Sequence, residues 1–322
     1  MIKISLVIPT YNRSEYLKKS LPTFLNQTMD NYLYEIILVD NNSTDNTKEI
    51  ANELLKNAKC SWQYVSEPRQ GLHNARNTGI RLAKGSIIVF GDDDIMAENN
   101  WLKTLLEEFE QHPKTGIAGG KILPKWTKEP PEWIYDYGTK EFHGIFAYFD
   151  IGKERKILGK NEYVVGCNFA IRKDLALKIG GSQPDTFPSS LMYLSGYGEC
   201  GMIRDVGKLG ADIVYLPEAL VYHHADASRA TIEYFIDRYK RWAIENVYYN
   251  FRYFPKKRAI IRILKNAKDN FKISLKKNVD KINPNYYKLI MYNYSKMIII
   301  QLLRVLIDKK LYNYIVKESY FD

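Results

Sequence analysis

The sequence has few cysteines, no long apolar run and no internal repeat, and each absence excludes a class of protein. Its three cysteines, Cys60, Cys167 and Cys200, are scattered and odd in number, so they indicate neither a disulfide framework nor a zinc site and fit a reducing cytoplasm. The first residues, MIKISLVIPTYN, lack the basic, apolar and small-residue order of a signal peptide. No stretch approaches the roughly 20 apolar residues that cross a bilayer. We therefore expect a soluble or peripheral protein of the cytoplasm.

Charge and composition divide the chain into two unequal parts. The 322 residues are 45% hydrophobic, enough for a packed core, and their formal net charge is +10. From Ile236 onward there are 20 Lys and Arg against 7 Asp and Glu, whereas residues 1–235 carry 27 against 30. Beyond Ala230 the composition also shifts to Lys, Tyr, Ile and Asn with helical periodicity. We therefore predict an α/β domain over residues 1–230 and a basic helical extension over residues 231–322.

Alternating strand and helix patterns in residues 1–120 indicate the fold class. Three continuous apolar runs have the length of strands buried on both faces of a parallel sheet: Ile4–Pro9, Glu35–Asp40 and Ser86–Phe90. Ser43 and Thr44 stand where the N-cap of a following helix belongs. Apolar residues at helical spacing cover Glu15–Leu25, Leu72–Ala83 and Trp101–Phe109. The pattern predicts a mainly parallel central sheet flanked by helices.

The rest of the chain predicts mixed structure with long loops. We expect a strand over Tyr163–Ile171, helices over Lys173–Ile179 and Glu199–Leu209, and helix breaks near Pro255 and Pro284. Clustered prolines between residues 124 and 188 mark the loops, which often face substrates. Four aromatic side chains there suit either stacking on sugar rings or an ordinary core: Trp126, Trp133, Tyr135 and Tyr137.

A polar cluster follows each of the three apolar runs. The clusters are Thr10-Tyr11-Asn12, Asp40-Asn41-Asn42 and Asp92-Asp93-Asp94. In parallel sheets ligands bind beyond the carboxyl ends of the strands, so the three clusters together predict a binding site. Taken singly, Asp40 or Asn12 is better explained as a helix cap.

The three adjacent aspartates after Gly91 need a compensating cation. Like charges a few ångströms apart raise one another's pKa and destabilise the site. A hard divalent ion such as Mg²⁺ or Mn²⁺ prefers carboxylate oxygens and can act as a Lewis acid on a diphosphate. A solvated acidic turn is the alternative.

The chain resembles the large inverting family 2 glycosyltransferases of the GT-A fold over about residues 1–225. Four segments carry the resemblance in the family's order: SLVIPTYNR, EIILVDNNSTDNT, GLHNARNTGIRLAKGSIIVFGDDDI and LGADIVYLPEALVYH. The resemblance implies a Rossmann-like GT-A domain in which about residues 1–120 bind a nucleotide sugar and about residues 121–230 form the acceptor side. It also implies Mn²⁺ or Mg²⁺ as cofactor and a UDP-sugar as the default donor.

The family pattern implies roles for individual residues. It assigns the nucleoside pocket to Pro9, Thr10, Tyr11 and Asn12. Asp40 accepts a hydrogen bond from the base with Asn42 beside it, and Arg76 reaches the base or the diphosphate. Asp94 is the direct metal ligand, Asp92 faces the ribose or donor sugar, and Asp93 takes part of either role. The resemblance also leaves His223 as either a metal ligand or a hydrogen-bonded structural residue, and neighbours on a strand face opposite ways, so only one of His223 and His224 reaches the metal.

The catalytic base is the least regular part of the pattern. Inverting transfer needs a group that removes the proton of the acceptor hydroxyl. Family members place it in a pair of acids at the start of a helix, where this chain reads Gly198-Glu199-Cys200. One frame puts Glu199 on the base and Gly198 on the usual first acid; the other puts Cys200 on the base. We prefer Glu199, which a helix N-terminus would keep charged.

Acceptor, partners and location are expectations of the same resemblance. Asn168, in a G-x-N-x-A-x-R segment, is expected to contact the donor or acceptor sugar, and the acceptor is a glycan or lipid-linked glycan of bacterial surface polysaccharide synthesis. The basic extension fits an anionic membrane on the inner face of the cell, or a helical cap on the domain or on a second subunit in a homo-oligomer. No motif supports nucleic-acid binding. A sugar nucleotidyltransferase and an inactive glycan-binding homologue remain the alternative functions.

Overall fold

The computed structural model describes residues 1–134, 148–159, 162–278 and 283–321, and these contain a nine-stranded sheet. The strand order is β3-β2-β1-β4-β8-β6-β9-β5, with β7 paired to β9. The strands are β1 (Ile4–Thr10), β2 (Tyr34–Asp40), β3 (Ser61–Ser66), β4 (Ile87–Gly91), β5 (Ile95–Ala97), β6 (Thr115–Trp126), β7 (Lys156–Ile157), β8 (Asn168–Arg172) and β9 (Asp212–Ala225).

The first half of the sheet is parallel and the second half is mixed. Strands β3, β2, β1 and β4 pair in parallel, and every residue of β1, β2 and β4 is buried, as continuous apolar runs require. Strand β8 then lies antiparallel to both β4 and β6, while β6 runs parallel to β9. The predicted α/β fold with a mainly parallel core is confirmed.

Helices cover the sheet and form the C-terminal part of the chain. In the described residues they are α1 (Ser14–Leu25), α2 (Thr47–Leu55), α3 (Leu72–Leu82), α4 (Trp101–Gln111), α5 (Lys173–Lys178), α6 (Gly198–Lys208), α7 (Ile232–Tyr253), α8 (Lys256–Ser274), α9 (Pro284–Ile307) and α10 (Lys309–Val316). The breaks expected near Pro255 and Pro284 fall between α7, α8 and α9.

Two local predictions were wrong. Ser43 and Thr44 do not cap α2, which begins at Thr47. Their backbone N–H groups instead bind the side chains of Asp40 and Asn12, at 2.9 and 2.7 Å, and so tie two loops together. The strand predicted from Tyr163 begins only at Asn168, because residues 162–167 form a loop. Of the four loop aromatics, Tyr135 and Tyr137 lie outside the described residues, and Trp133 packs on Phe235.

The C-terminal helices pack on one another and on the α/β domain. Helix α7 contacts α8, α9 and α10, and its Phe235 and Tyr239 share a core with Ile134. The segment after α10 reaches the domain itself: the Tyr320 N–H donates to Gly180 O at 3.0 Å, and Asn77 Nδ2 donates to Tyr320 O at 2.8 Å. The part of the extension described therefore caps the domain, which is one of the two roles that the sequence left open.

Helix α9 is longer and more apolar than the sequence indicated. It spans 24 residues with a mean hydropathy of 1.3 in its most apolar window, so length and composition alone would let it cross a membrane. However, 39% of that window is buried within the protein. The core helix of a soluble protein passes the same test of length and composition.

Candidate functional site

A cavity of about 780 Å³ opens at the carboxyl ends of β1 and β4. Its lining includes ten of the residues that the sequence singled out: Pro9, Thr10, Tyr11, Asn12, Arg76, Asp92, Asp93, Asp94, Glu199 and His223. The strand ends bring the first polar cluster and the aspartates together because β1 and β4 are parallel neighbours.

The three aspartates have different environments. Asp93 is buried and accepts a hydrogen bond from Thr10 Oγ1 at 2.8 Å. Burial and the neighbouring Asp94 raise the pKa of Asp93. Burial also raises the pKa of Asp92, with Arg76 opposing it. Both carboxyls therefore ionise less readily than an aspartate in water.

Asp94 is the ionised member and the centre of a cationic cluster. His223 Nε2 lies 3.2 Å from Asp94 Oδ1, and Arg229 Nη2 donates to Asp94 Oδ2 at 2.9 Å. Arg13 Nη1 is 3.4 Å from the same oxygen. Burial opposes ionisation of Asp94, but its contacts with His223, Arg229 and Arg13 outweigh it and lower its pKa. The His224 ring packs edge-on against the Tyr16 ring, and only its backbone N–H contacts Asp94, at the carbonyl oxygen. Of the two imidazoles, His223 is therefore the one beside the Asp94 carboxylate.

The donor set near Asp94 fits a divalent cation that shares its coordination with phosphate. Within the described ranges no three His, Cys, Asp or Glu side chains are grouped to hold a metal by themselves. Asp94 and His223 offer one carboxylate and one imidazole, and Mn²⁺ or Mg²⁺ commonly takes its other ligands from substrate phosphates and water. Arg229 holds the carboxylate oxygen that a cation would need, so it must move when one binds.

Arg76 connects this cluster to the other side of the cavity. Its guanidinium is 2.8 Å from Asp185 Oδ2, 3.5 Å from Asp92 Oδ1 and 4.0 Å from Glu199 Oε2. It also lies over the Phe90 ring, and the residue is only 2% exposed. A buried arginine is stable here because three carboxylates surround it. Asp185 was missed in the sequence because it follows a proline in a loop with no recognisable pattern.

Glu199 lies in the first turn of α6 and faces the cavity. Gly166 N–H donates to Glu199 Oε1 at 3.3 Å. Burial and the nearby Asp185 raise the pKa of Glu199, against the expectation that the helix N-terminus would keep it readily charged. A carboxylate with a raised pKa is better matched to accept a proton near neutral pH. Cys200, the alternative, does not line the cavity, and burial and Glu199 raise the pKa of its thiol far above the usual value.

Gly198, at the position of the usual first acid, leaves room for Asp185. Its φ is +43°, and a Cβ added there would lie 2.7 Å from Asp185 Oδ2. Asp185 is fixed by the Thr186 N–H, which donates to its Oδ1 at 2.7 Å. The carboxylate of Asp185 therefore occupies the space beside Glu199 that a side chain at position 198 would fill.

Asp40 and Asn42, which were predicted to bind the base, do not line the cavity. Both oxygens of Asp40 already accept hydrogen bonds, from the Ser43 N–H at 2.9 Å and from the Tyr64 hydroxyl. Asn42 is exposed with φ +71° and does not line the cavity. The neighbouring Asn41 does line it, and its side chain binds Gly71 N at 2.8 Å. In this structure the loop presents Asn41 to the cavity in their place.

Asn168, which was predicted to contact a sugar, lies beneath the site. Its side chain is fully buried and outside the cavity. Trp101 Nε1 donates to its Oδ1 at 2.8 Å, and its Nδ2 donates to Ala219 O at 2.7 Å and Lys121 O at 3.1 Å. Asn168 therefore joins α4, β6 and β9 beneath the site.

Helix α7 supplies a wall that the sequence did not predict. Tyr234, Asp237, Arg238 and Arg241 all line the cavity, and their spacing places them on one helical face. Arg241 is held by Asp237 at 3.0 Å and by Phe187 O at 3.0 Å. That spacing was readable in the sequence, but nothing there indicated that α7 folds back on the strand ends.

Comparison with known proteins agrees with this architecture. Residues 5–180 match the family model described as Glycosyl transferase family 2. Glycosyltransferase AglE of Haloferax volcanii is 37% identical over 224 residues, which are 69% of this chain and 67% of the relative. The glucosyl-dolichyl phosphate glucuronosyltransferase of the same organism is 24% identical over 246 residues, 74% of each chain.

Solved structures support the fold. TarS 1–349 of S. aureus, in complex with UDP-GlcNAc, superposes with a TM-score of 0.55 at 16% identity and covers 92% of this chain and 90% of its own. The mannosyltransferase PcManGT of Pyrobaculum calidifontis, with GDP-Man and Mn²⁺, also gives 0.55 at 16% identity and covers 95% and 73%. The expected GT-A fold is confirmed. Glu199, His223 and α7 lie beyond the segment that the family model matches.

Proposed function

Because the chain belongs to glycosyl transferase family 2, we propose that it moves a sugar from a UDP-sugar to a glycan or lipid-linked glycan with inversion at the anomeric carbon. The observation that carries the proposal is the cavity itself. Two carboxylates line it: Asp94, beside Arg13 and Arg229, and Glu199, whose pKa is raised. Arg76 lies between Asp92 and Glu199 and so connects the two sides. The chain is a glycosyltransferase; donor, metal and stereochemistry are the proposed details.

Glu199 would act as the base. As the acceptor oxygen attacks the anomeric carbon, its proton passes to a Glu199 carboxylate oxygen and the new carbon–oxygen bond forms. The bond from that carbon to the diphosphate breaks, and the nucleoside diphosphate leaves with the electron pair. Attack on the face opposite the leaving group inverts the configuration. Arg76, fixed by Asp185, would hold the donor side of the cavity in place.

Asp94 and His223 would hold Mn²⁺ or Mg²⁺ together with the donor diphosphate. When bound, such a cation stabilises the negative charge that develops on the departing diphosphate. Arg229 and Arg13 already surround Asp94, and on leaving it they would donate to the same phosphate oxygens. Pro9, Thr10, Tyr11 and Asn12 would contact the nucleoside from the end of β1.

The acceptor would be lipid-linked and the enzyme would work on the inner face of the cell membrane. The name of one relative, a glucosyl-dolichyl phosphate glucuronosyltransferase, describes an acceptor of that kind. Helix α7 would contact the acceptor, because its four cavity-lining residues lie outside the nucleotide-binding strand ends.

Donor turnover tests the proposal. The full chain is incubated with a panel of UDP-sugars and GDP-mannose, with an alkyl-phosphate-linked sugar as acceptor, in Mn²⁺ or in EDTA. We expect UDP release in Mn²⁺, its loss in EDTA, and a product whose anomeric configuration by NMR is opposite to that of the donor. Pyrophosphate release would indicate a nucleotidyltransferase, and equal rates in EDTA would contradict the metal.

Aspartate variants locate the cation. Asp94→Asn should abolish the response to Mn²⁺, since it removes one of the two proposed protein ligands, Asp94 and His223. Asp226→Asn is the matched control, because Asp226 also lines the cavity but binds the Ser228 N–H at 2.9 Å. If both variants respond to Mn²⁺ like the wild type, Asp94 is not the ligand.

A further inference from the structure

Helices α8 and α9 pack together and each exposes a stripe of apolar side chains. On α8 and the residue after it, Ile261, Leu264, Phe271 and Leu275 are 43–69% exposed. On α9, the exposed apolar residues recur every three or four positions: Leu289, Tyr292, Ile299, Leu303 and Leu306. In both stripes the one position that breaks the apolar series is a lysine, Lys268 or Lys296.

The two stripes form one continuous surface. The rings of Phe271 and Tyr292 lie 6.3 Å apart between centroids, so the stripes meet at the helix contact. We name the two stripes together, with Lys268 and Lys296, the basic apolar face. An exposed continuous apolar surface commonly marks an interaction site.

The same helices carry the positive charge of the protein. Residues 256–307 contain 13 Lys and Arg against 2 Asp and Glu, a net charge of +11, whereas the whole chain has +10. The remainder of the molecule is therefore almost neutral. No ion pair involves a side chain of α8 or α9 among the residues that the structure describes. Lys265 and Lys272, next to the α8 stripe, are exposed.

We propose that the basic apolar face lies on an anionic lipid bilayer, with its apolar stripes in the headgroup–acyl boundary and the flanking lysines on lipid phosphates. A second copy of the chain would bring two surfaces rich in lysine together, and this repulsion opposes a symmetric dimer through the face. Burial of 39% of the α9 window against the rest of the protein favours a helix that lies on the surface rather than one that crosses it.

The face is coupled to the cavity through α7. That helix packs on both α8 and α9, while its Tyr234, Arg238 and Arg241 line the cavity. A bilayer under the basic apolar face would hold the cavity at a fixed position relative to the lipid surface. Only the use of that position for a lipid-linked acceptor rests on the proposed function; the lipid contact does not.

Vesicle flotation of the full chain tests the proposal without any substrate. We expect flotation with phosphatidylcholine vesicles that contain about a third phosphatidylglycerol, and none with phosphatidylcholine alone. The double variants Ile261→Gln/Leu264→Gln and Lys265→Glu/Lys272→Glu should each weaken binding about tenfold or more, because they remove the apolar and the electrostatic contribution separately. All four side chains are exposed, so the fold should persist, and thermal unfolding checks it.

Matched controls change the same residue types elsewhere. Leu177→Gln/Leu209→Gln replaces two exposed leucines of the α/β domain, and Lys48→Glu/Lys56→Glu reverses two exposed lysines of α2 and its end. Both should bind vesicles like the wild type. Donor hydrolysis in solution reports separately on the proposed reaction, so a protein that hydrolyses donor but does not float overturns only this proposal.

Three further outcomes would overturn it. Equal flotation with neutral and anionic vesicles would show that the lysines do not contribute to lipid binding. A dimer in sedimentation that the stripe variants abolish, without flotation, would assign the face to a second copy. Protein that stays with the vesicles in high salt and alkaline carbonate would show that α9 crosses the bilayer.

Discussion

Arg76 and Glu199 show how single residues set the chemistry of the cavity. Arg76 is closest to Asp185, at 2.8 Å, and 4.0 Å from Glu199. Burial raises the pKa of Glu199, and the negative charge of Asp185 adds to the shift while Arg76 opposes it. If Glu199 is the base, the loop residue Asp185 therefore adjusts its proton affinity.

Replacing Glu199 with Gln should lower the rate of transfer by about 10²–10⁴, the usual contribution of a general base. Donor binding should change little, because the proposed role of Glu199 is toward the acceptor hydroxyl. Wild-type activity should fall with decreasing pH through a midpoint above 4.5, since the pKa of Glu199 is raised and the base must be ionised. Initial rates and donor KM from pH 5 to 8 measure this.

The control for that variant is Asp226→Asn, which removes another carboxylate from the cavity lining. It should keep both the rate and the acid limb of the pH profile. Transfer that survives Glu199→Gln with an unchanged pH profile would show that another group is the base.

Replacing Gly198 with Ala should destabilise the fold by about 1–2 kcal/mol from backbone strain alone, because its φ of +43° disfavours a side chain. The added Cβ would also press on Asp185 Oδ2 and disturb its pair with Arg76, so transfer should fall too. Denaturant unfolding measures the first effect.

Gly207→Ala in the same helix is the matched control. No heavy atom lies within 4 Å of a Cβ there, so this change should be neutral or stabilise by up to about 1 kcal/mol. Equal destabilisation by the two alanines would contradict the argument from φ and contact at Gly198.

At the scale of elements, the strands that could be predicted from the sequence are those that are buried on both faces. Strands β1, β2 and β4 are buried on both faces, and their continuous apolar runs were recognisable. Strand β3 was missed because it is an edge strand of partly exposed residues, SWQYVS, with no continuous apolar run. Strands β6 and β9 pair through many residues far apart in sequence, which no local pattern encodes.

The segment around Tyr320 joins the last residues described to α3. The Tyr320 side chain is 2% exposed, its hydroxyl donates to Ile315 O at 3.0 Å, and its ring packs on His73. Tyr320→Ala should therefore cost about 3–5 kcal/mol of the free energy of unfolding, as for other large buried aromatics. Tyr32→Ala, at a residue 68% exposed, should cost little. A loss under 1 kcal/mol at Tyr320 would mean that the segment is not docked in solution.

His73 makes the contact between α3 and the segment around Tyr320 sensitive to acid. Burial, with Lys317 nearby, lowers its pKa from 6.5 to about 3. The unfolded chain therefore binds a proton at His73 below pH 6.5, while the folded chain stays neutral there until about pH 3. The contribution of neutral His73 to the free energy of unfolding is fully present above pH 6.5 and is lost as the pH falls toward 3. At pH 5 the loss is about 2 kcal/mol.

Denaturant unfolding at pH 7 and pH 5 measures that loss. In His73→Gln the difference between the two pH values should shrink by the same amount, because glutamine does not titrate. An unchanged difference in the variant would assign the acid sensitivity to other groups.

At the scale of the whole molecule, the site is assembled from segments that the sequence could not bring together. Asp92 to Asp94 and Pro9 to Asn12 were predictable, because strand ends in a parallel sheet share an edge. Asp185, Arg229 and Arg238 come from loops and from α7, and only tertiary packing directs them to the same cavity. For Asn168 the sequence pattern indicated a position on β8 but not its partners Trp101 and Ala219, which only the folded chain brings to it.

A chain cut after residue 230 should not fold as an independent catalytic domain. The cut removes one wall of the cavity and exposes the surfaces that pack on Phe235, Tyr239 and Tyr248. We expect aggregation in size-exclusion chromatography and no cooperative unfolding by circular dichroism. A soluble 1–230 fragment that hydrolyses donor would show that the predicted boundary separates two autonomous units.

The hydrogen bond from Asn77 to Tyr320 also affects how the protein is made. The two residues are 243 positions apart, and Asn77 is fully buried. At roughly 5–20 residues per second of translation, a ribosome needs about 10–50 s to synthesise the stretch between them. During that time the Asn77 side chain on α3, which also carries Arg76, has its partner Ser182 but lacks the Tyr320 carbonyl. The contact that fixes the Tyr320 segment on α3 can therefore form only after residue 320 has been synthesised.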